Sequence, residues 1–256
     1  MRKLRHSARI AERQRYDKGD TMERIDDLQY KNLRLIQDPE KFCFTTDSVL
    51  LSAFASAKRT DRVVDIGSGT GVLSFLLNAR TSASVTGIEL RQDVLDMANR
   101  SKELNNSVGI SFYNMDLRDA PAAFGDGAFD VAICNPPYFD GSIRPKEENK
   151  VVSRHMTECS IEDVCVCAKR LLHEGGKLYM VFPTSRLFEL TKSMTDNRLN
   201  IKRIRTVQHS EAQSPHIALI EAKRGAAFSC IWEKPLILCN EHGEYTEETA
   251  RIYHII

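Results

Sequence analysis

Short apolar runs alternate with stretches of helical periodicity along the chain from Arg62 onward. The short runs are rich in Val, Ile and Phe, which favour strands, and the stretches between them are long enough to form crossover helices. Because parallel neighbours need such crossovers, the alternation predicts an α/β fold with a doubly wound, mostly parallel, seven-stranded sheet. The predicted strands are residues 62–66, 84–88, 109–114, 129–134, 177–182, 201–208 and 216–222.

One predicted helix has both of its ends marked in the sequence. Ser160 and Asp163 are spaced as in a capping box, and apolar residues then recur on one face as far as Leu172. The pair Gly175-Gly176 is predicted to end this helix.

The predicted sheet belongs to a single domain over residues 22–256. A helical segment at residues 48–56, opened by Thr46-Asp47, precedes the first strand. Residues 225–256 are short runs around Pro235 and Gly243, too short for a core of their own. We therefore expect them to extend one edge of the sheet.

Residues 1–21 differ in charge from the rest of the chain. They contain seven Lys or Arg residues and three acidic ones, although the net charge of the whole chain is only +1. Such a basic arm attracts nucleic-acid phosphate without reading its sequence. The alternatives are a solvated, disordered tail, or upstream sequence translated ahead of a natural start at Met22.

Composition narrows the class of protein. Hydrophobic residues make up 42% and charged residues 28% of the chain, which is typical of a globular protein. No run approaches the ~18 apolar residues of a membrane span, and the N-terminus lacks the apolar core of a signal peptide. None of the seven cysteines forms a C-x-x-C pair. We therefore expect a reduced, cytoplasmic protein with neither a metal site nor a membrane partner.

A glycine-rich turn follows the first predicted strand. Gly67, Gly69 and Gly71 form a G-x-G-x-G pattern, and glycine lets the backbone turn tightly and approach a ligand. A dinucleotide-binding loop would have its third glycine at the position of Val72, so this loop does not match that fingerprint. Asp65 stands two residues before the loop, where a carboxylate would repel a pyrophosphate and attract an ammonium group.

Two further acidic residues stand at the tips of the next two strands. Glu89 is placed where a carboxylate can accept hydrogen bonds from both ribose hydroxyls, and Asp116 where it can accept one from an adenine amino group. An ammonium, a ribose and an adenine without a phosphate describe S-adenosylmethionine. The predicted cofactor-binding residues are Asp65, Gly67, Gly69, Gly71, Glu89, Leu90, Asp116 and Leu117.

The fourth predicted strand leads directly into a rigid turn, Asn135-Pro136-Pro137-Tyr138. Two prolines fix two φ angles and remove two N–H donors. The carbonyls of Asn135 and Pro136 can each accept one N–H from a planar amino group, and this draws its nitrogen toward tetrahedral geometry and frees its lone pair. Tyr138 can stack on the group that bears the nitrogen. These four residues are the predicted catalytic residues, and the work they do is positioning and hydrogen bonding.

The glycine loop together with the Asn-Pro-Pro-Tyr turn resembles the Rossmann-like class I methyltransferases that modify exocyclic or amide nitrogens. Three flanking stretches are similar to the family of tRNA-valine adenine-37 N6-methyltransferases. They are residues 35–37 with 44–51, residues 153–156, and residues 217–221 with 244–246. The resemblance covers about residues 22–256 and implies S-adenosylmethionine as cofactor, tRNA as partner, and N6-methylation of an adenine beside the anticodon. An unpaired loop adenine can be splayed out and stacked on an aromatic ring.

The resemblance also draws attention to Arg154 and His155, which follow the turn. They are candidates to contact substrate phosphate or to brace the turn, and a solvated or purely structural role is the alternative. The family has an acidic residue after this pair, whereas this chain has Met156. The basic runs at residues 202–205 and 223–224 are candidates to follow an RNA backbone, or else are solvated faces.

Several other functions fit the same two motifs. Methylation of a glutamine amide in a release factor is one alternative, because the amide nitrogen also needs its two hydrogens held. The methyltransferases of that family usually have a separate helical N-terminal domain. Guanine-N2 methylation of ribosomal RNA is a third possibility, although that family often has a longer, duplicated chain. DNA adenine methylation is disfavoured, because no stretch is large enough for a target-recognition domain. A catalytically silent RNA-binding module would have no use for the intact turn.

Overall fold

The structure is a computed structural model that describes residues 14–15, 22–41, 43–136 and 159–256. Its strands are β1 (Gln14–Arg15), β2 (Arg24–Asp27), β3 (Arg34–Gln37), β4 (Arg62–Ile66), β5 (Ser84–Glu89), β6 (Ile110–Asn114), β7 (Phe129–Cys134), β8 (Leu172–Pro183), β9 (Leu199–Gln208), β10 (Ile217–Arg224), β11 (Ile231–Trp232) and β12 (Leu236–Ile237). Its α-helices are α1 (Thr46–Phe54), α2 (Val72–Thr81), α3 (Gln92–Leu104), α4 (Ala120–Phe124), α5 (Ile161–Leu171), α6 (Leu187–Asp196) and α7 (Glu247–Ile252).

All seven predicted strands lie in one sheet, in the order β9-β10-β8-β7-β4-β5-β6. The pairs from β8 to β6 are parallel, and β10 runs antiparallel to both β8 and β9. This confirms the mostly parallel α/β fold. Within the described residues the sheet has nine strands rather than seven, because β11 and β12 each add a short parallel pairing to β9. These two strands lie in the segment that the sequence analysis predicted as an edge extension.

Helices cover both faces of the sheet, as a doubly wound fold requires. Side chains alternate along each strand, so Val63 packs into a core with α1 and α2, whereas Val64 packs into a second core with α5 and α6. The strands are therefore buried on both sides, which explains why their sequences are nearly continuous apolar runs.

The capping box at the start of α5 is confirmed. The Ser160 hydroxyl accepts a hydrogen bond from the backbone of Asp163, and the Asp163 carboxylate accepts one from the backbone of Ser160. The predicted end of this helix was wrong, because α5 stops at Leu171 and the chain enters β8 at once. Gly175 and Gly176 instead lie in a bulge of β8 opposite β7. A Cβ atom on Gly176 would meet the backbone oxygens of His173 and Asp130 at 3.0 and 3.2 Å, so this bulge requires close backbone approach.

The N-terminal segment forms a separate three-stranded antiparallel sheet, β1-β2-β3, that the sequence analysis did not predict. The Ile36 backbone N–H donates to the Ser101 hydroxyl at 2.9 Å, which joins this sheet to α3. The Gln37 side chain accepts a hydrogen bond from the backbone of Phe44 at 2.7 Å. The small sheet thus fixes the segment that leads into α1.

Of the basic arm, the structure describes Gln14–Arg15, which pairs with Arg24 and Ile25 of β2. The other arm residues lie outside the described part of the chain, so its RNA-binding role stays a prediction. None of the described helices is long and apolar enough to cross a membrane.

Candidate active site

The glycine turn connects the end of β4 to the start of α2. Gly67, Gly69 and Gly71 all have positive φ angles, of 71°, 55° and 88°. A Cβ atom on Gly71 would also lie 2.6 Å from the ring of Phe112. Only glycine combines this left-handed conformation with such a close approach. Glycine is therefore required here for the turn itself and for its packing against Phe112. The backbone N–H groups of Gly67, Gly69 and Gly71 donate within the protein, to Ile88, Glu89 and Ser68.

Glu89, at the end of β5, holds this loop in place. One carboxylate oxygen accepts a hydrogen bond from the backbone of Gly69 at 3.0 Å, and the other accepts one from the backbone of Arg91 at 2.8 Å. Burial raises the pKa of Glu89 above its ordinary value, and these two N–H donors lower it. Each carboxylate oxygen keeps a lone pair for a further donor.

A cavity of about 260 Å³ opens at the carboxyl ends of the parallel strands. Ligands of doubly wound sheets bind at this edge. The cavity brings together eight of the predicted site residues from four strand ends: Gly67, Gly69, Glu89, Leu90, Asp116, Leu117, Asn135 and Pro136.

Two predicted cofactor-binding residues, Asp65 and Gly71, do not line this cavity. Asp65 is fully buried behind the loop, where one of its oxygens accepts a hydrogen bond from the Ser74 hydroxyl at 2.7 Å. Burial raises its pKa to about 7. Its other oxygen has no hydrogen-bond partner among the described residues, and neither have the buried hydroxyls of Ser68 and Thr70. The predicted contact between Asp65 and an ammonium group therefore stays a prediction.

Asp116 lines the cavity but already has a partner that the sequence analysis did not identify. Arg118 donates to one carboxylate oxygen from its backbone and from Nε, both at 2.9 Å, and to the other oxygen from its guanidinium at 2.5 Å. An adenine amino group at this position would share an acceptor with Arg118.

Asn135 begins the rigid turn at the end of β7. Its side-chain amide nitrogen donates to the Ser48 hydroxyl of α1 at 2.8 Å. Ser48 is only 3% exposed. Pro136 follows in the cavity wall, whereas the predicted residues Pro137, Tyr138, Arg154 and His155 lie outside the described part of the chain.

The sequence profile of the family described as "Methyltransferase domain" matches residues 57–243, which is more than half of the chain and includes every described strand end of the site. The chain belongs to this methyltransferase family. Its cofactor is S-adenosylmethionine.

Two curated relatives carry the same name, tRNA1(Val) (adenine(37)-N6)-methyltransferase. The protein of Haemophilus influenzae is 30% identical over 168 residues, which cover 64% of this chain and 71% of the relative. The protein of Phocaeicola vulgatus is 25% identical over 221 residues, which cover 86% and 93%. A solved structure of a predicted O-methyltransferase from Agrobacterium tumefaciens matches with a TM-score of 0.67 at 22% identity, covering 80% of this chain and 94% of that one. This last similarity supports the fold.

The described residues of the methyltransferase fit S-adenosylmethionine. Glu89 offers carboxylate lone pairs at the tip of β5, and Gly67 and Gly69 line the cavity without side chains. One buried oxygen of Asp65 and the buried hydroxyls of Ser68 and Thr70 in the loop lack partners in the described structure. Leu90 and Leu117 add apolar surface to the cavity wall. A carboxylate with free lone pairs at the cavity suits a cofactor that brings hydroxyl donors and a positive charge.

Three cysteines, Cys43, Cys134 and Cys159, line the cavity of the methyltransferase. Burial raises the pKa of Cys134 well above its ordinary value and that of Cys159 to about 11. Both thiols are therefore neutral near pH 7 and form part of the apolar wall rather than a nucleophile. In the described parts of the chain, no group of three His, Cys, Asp or Glu residues could hold a metal ion.

The arginines of the basic runs on β9 and β10 form ion pairs within the fold. Arg203 forms ion pairs with Glu221 and Glu233 at 3.2 and 3.0 Å. The guanidinium of Arg205 binds both carboxylate oxygens of Glu248. Arg224 lies 3.4 Å from Glu174. A contact between these runs and an RNA backbone stays a prediction.

Proposed function

We propose that this methyltransferase transfers a methyl group from S-adenosylmethionine to N6 of an adenine in tRNA, at position 37 beside the anticodon. The observation that carries the proposal is the position of Asn135, which lines the same cavity as Gly67, Gly69 and Glu89. The names of the two curated relatives support tRNA and this adenine as the substrate.

The proposed cofactor contacts come from the strand ends. Glu89 accepts hydrogen bonds from the ribose hydroxyls, Asp116 accepts one from the adenine amino group, and Leu90 and Leu117 contact the adenine ring. The loop from Gly67 to Gly71 approaches the cofactor through its backbone, with Asp65 behind it. When bound, the cofactor supplies an electrophilic methyl group on a positively charged sulfur.

The proposed substrate contacts come from the rigid turn. The side-chain carbonyl of Asn135 and the backbone carbonyl of Pro136 each accept one hydrogen of the target amino group. Two acceptors placed out of the plane of that group favour a tetrahedral nitrogen, so their benefit grows toward the transition state. No covalent nucleophile is required, because the nitrogen lone pair would form the new bond to the methyl carbon while the methyl–sulfur bond breaks. S-adenosylhomocysteine would leave, and the nitrogen would then release one proton to water.

Residues outside the described part of the chain complete the proposal. Pro137 keeps the turn rigid, and Tyr138 stacks on the target adenine, a contact worth about 1–3 kcal/mol per base in nucleic-acid binding. Arg154 and His155 contact substrate phosphate or brace the turn.

The test compares the candidate substrates of methyl transfer directly. The protein is incubated with methyl-labelled S-adenosylmethionine and separately with bulk tRNA, ribosomal RNA or release factor, and the labelled products are digested to nucleosides or amino acids. We expect the label in N6-methyladenosine from tRNA, and Asn135→Ala to lower the single-turnover rate by about 100-fold or more. Label in N2-methylguanosine or in methylated glutamine would contradict the proposal, as would a near-normal rate for Asn135→Ala.

A further inference from the structure

Ser48 on helix α1 contacts the side-chain amide of Asn135, a candidate catalytic residue. Ser48 is the third residue of α1, and its hydroxyl accepts a hydrogen bond from Nδ2 of Asn135 at 2.8 Å. The two residues are 87 positions apart in sequence. Ser48 is 3% exposed, so water does not readily replace this partner.

The orientation of this amide decides what Asn135 can do. A primary amide has a donor end and an acceptor end of nearly the same shape, and rotation about its last side-chain bond exchanges them. An amino group needs the acceptor end. If the nitrogen faced the cavity instead, two N–H groups would meet and the target would be repelled.

We propose that Ser48 is a positioning residue that holds Nδ2 of Asn135 against α1 and thereby directs the Asn135 carbonyl oxygen into the cavity. The inference rests on the proposed function, because that function is what requires an acceptor at this place. It assigns a role to a segment that the cofactor contacts do not explain.

Ser48 is itself held firmly. Its backbone N–H donates to the Thr45 carbonyl at 3.1 Å, and Val49, Leu50 and Leu51 beside it are buried in the core. The segment before α1 is fixed by the Gln37 side chain, which binds the Phe44 backbone at 2.7 Å and the buried Asp26 carboxylate at 2.5 Å. The small N-terminal sheet is thus connected to the catalytic amide through α1.

The variant Ser48→Ala tests the inference in the full chain. The measurements are single-turnover methylation of bulk tRNA, cofactor affinity by calorimetry and the thermal unfolding midpoint. We expect the rate to fall about 3- to 10-fold, the range for loss of one neutral hydrogen bond, with cofactor affinity unchanged. Ser52→Ala is the matched control, because Ser52 lies one turn along the same helix with the same 3% exposure. It should leave the rate unchanged.

Two more variants separate the hydrogen bond from packing. Ser48→Thr keeps the hydroxyl and should keep most of the rate. Ser48→Cys keeps the size of the side chain but is a weak acceptor, so it should lose rate as Ser48→Ala does, and it replaces that variant if Ser48→Ala does not fold. An unchanged rate in Ser48→Cys overturns the inference.

A double-mutant cycle shows whether Ser48 acts through Asn135. In the Asn135→Ala background no amide remains to orient, so Ser48→Ala should have almost no further effect on the rate. An equal fold-change in both backgrounds would overturn the inference and indicate a general structural role. If Asn135→Ala alone lowers the rate and Ser48→Ala does not, the proposed function stands and this inference fails. If Asn135→Ala has a near-normal rate, the proposed function itself fails.

Discussion

Glu89 has two roles at the residue scale, since its carboxylate holds the Gly69 backbone and faces the cavity at the same time. The first role could not be predicted from sequence, because it depends on a contact between residues 20 positions apart. The second could, because a polar residue at the tip of a parallel strand points to a ligand site. The ion pair between Arg118 and Asp116 likewise could not be predicted from the sequence, although the position of Asp116 at a strand tip could.

Replacing Glu89 by alanine should weaken S-adenosylmethionine binding by about 1.5–3 kcal/mol, the range for a charge-assisted hydrogen bond. Calorimetry on the folded variant measures this loss. Glu103→Ala, on the exposed surface of α3, is the control and should bind the cofactor normally. Unchanged affinity in Glu89→Ala would remove Glu89 from the cofactor site.

Asp65 makes the stability of the protein depend on pH. Its pKa is raised from the ordinary value of 3.8 to about 7 in the folded protein, chiefly by burial. Between these two values the folded state binds more protons than the unfolded state, so this residue lowers stability as pH rises through that range.

We therefore expect the free energy of unfolding of the cofactor-free protein to fall relative to Asp65→Asn between about pH 4 and pH 7. The slope should be at most about 1.4 kcal/mol per pH unit, and the difference should level off above pH 7. Urea unfolding of both proteins across this range measures it. Parallel stability curves would show that Asp65 ionises normally in the folded state.

Local patterns predicted most of the elements but not all of them. The seven strands and the start of α5 could be found, because apolar runs and a capping box are encoded within a few residues. The strands β2 and β3 were missed, since each has only four residues and β2 is largely polar. The pair Gly175-Gly176 was misassigned, because two glycines signal a helix end and a bulge equally well.

A comparison of Gly71 with Gly243 separates the free-energy cost of a left-handed backbone from the cost of a steric clash. Gly71→Ala should lower the free energy of unfolding more than Gly243→Ala does. Both glycines have positive φ, of 88° and 78°, but only at Gly71 would the new Cβ meet other side chains, the ring of Phe112 at 2.6 Å and that of Phe75 at 3.0 Å. The left-handed conformation costs roughly 1–2 kcal/mol at either position, and overpacking adds about 1–3 kcal/mol at Gly71.

Denaturant unfolding of the two variants checks the difference. A second measurement, of cofactor affinity, should show a loss for Gly71→Ala only, because Gly243 lies in the C-terminal extension and neither belongs to the glycine loop nor lines the cavity. Equal destabilisation of the two variants would mean that Phe112 moves aside at no cost.

At the scale of the whole molecule, basic and acidic side chains are distributed unevenly along the chain. Arg203, Arg205 and Arg224 are each paired with glutamates inside the domain. The residues from 22 to 256 carry more acidic than basic side chains, whereas the arm is strongly basic. A polyanionic substrate should therefore gain more from the arm than from the faces of β9 and β10.

Deleting residues 1–13 should weaken tRNA binding and reduce its salt dependence. The deletion removes five Lys or Arg residues and leaves Gln14–Arg15, which pairs with β2. Each lost phosphate contact should reduce the slope of log affinity against log salt by about 0.7–0.9, because fewer counterions are released on binding. Binding measured at several salt concentrations gives that slope, and calorimetry should show unchanged cofactor affinity.

A matched variant keeps the length of the arm but changes Arg2, Lys3, Arg5 and Arg9 to glutamine, and it should reduce the slope nearly as much. If both variants bind tRNA with the slope of the full chain, the arm makes no phosphate contact and the basic charge at this end of the protein serves no role in RNA binding.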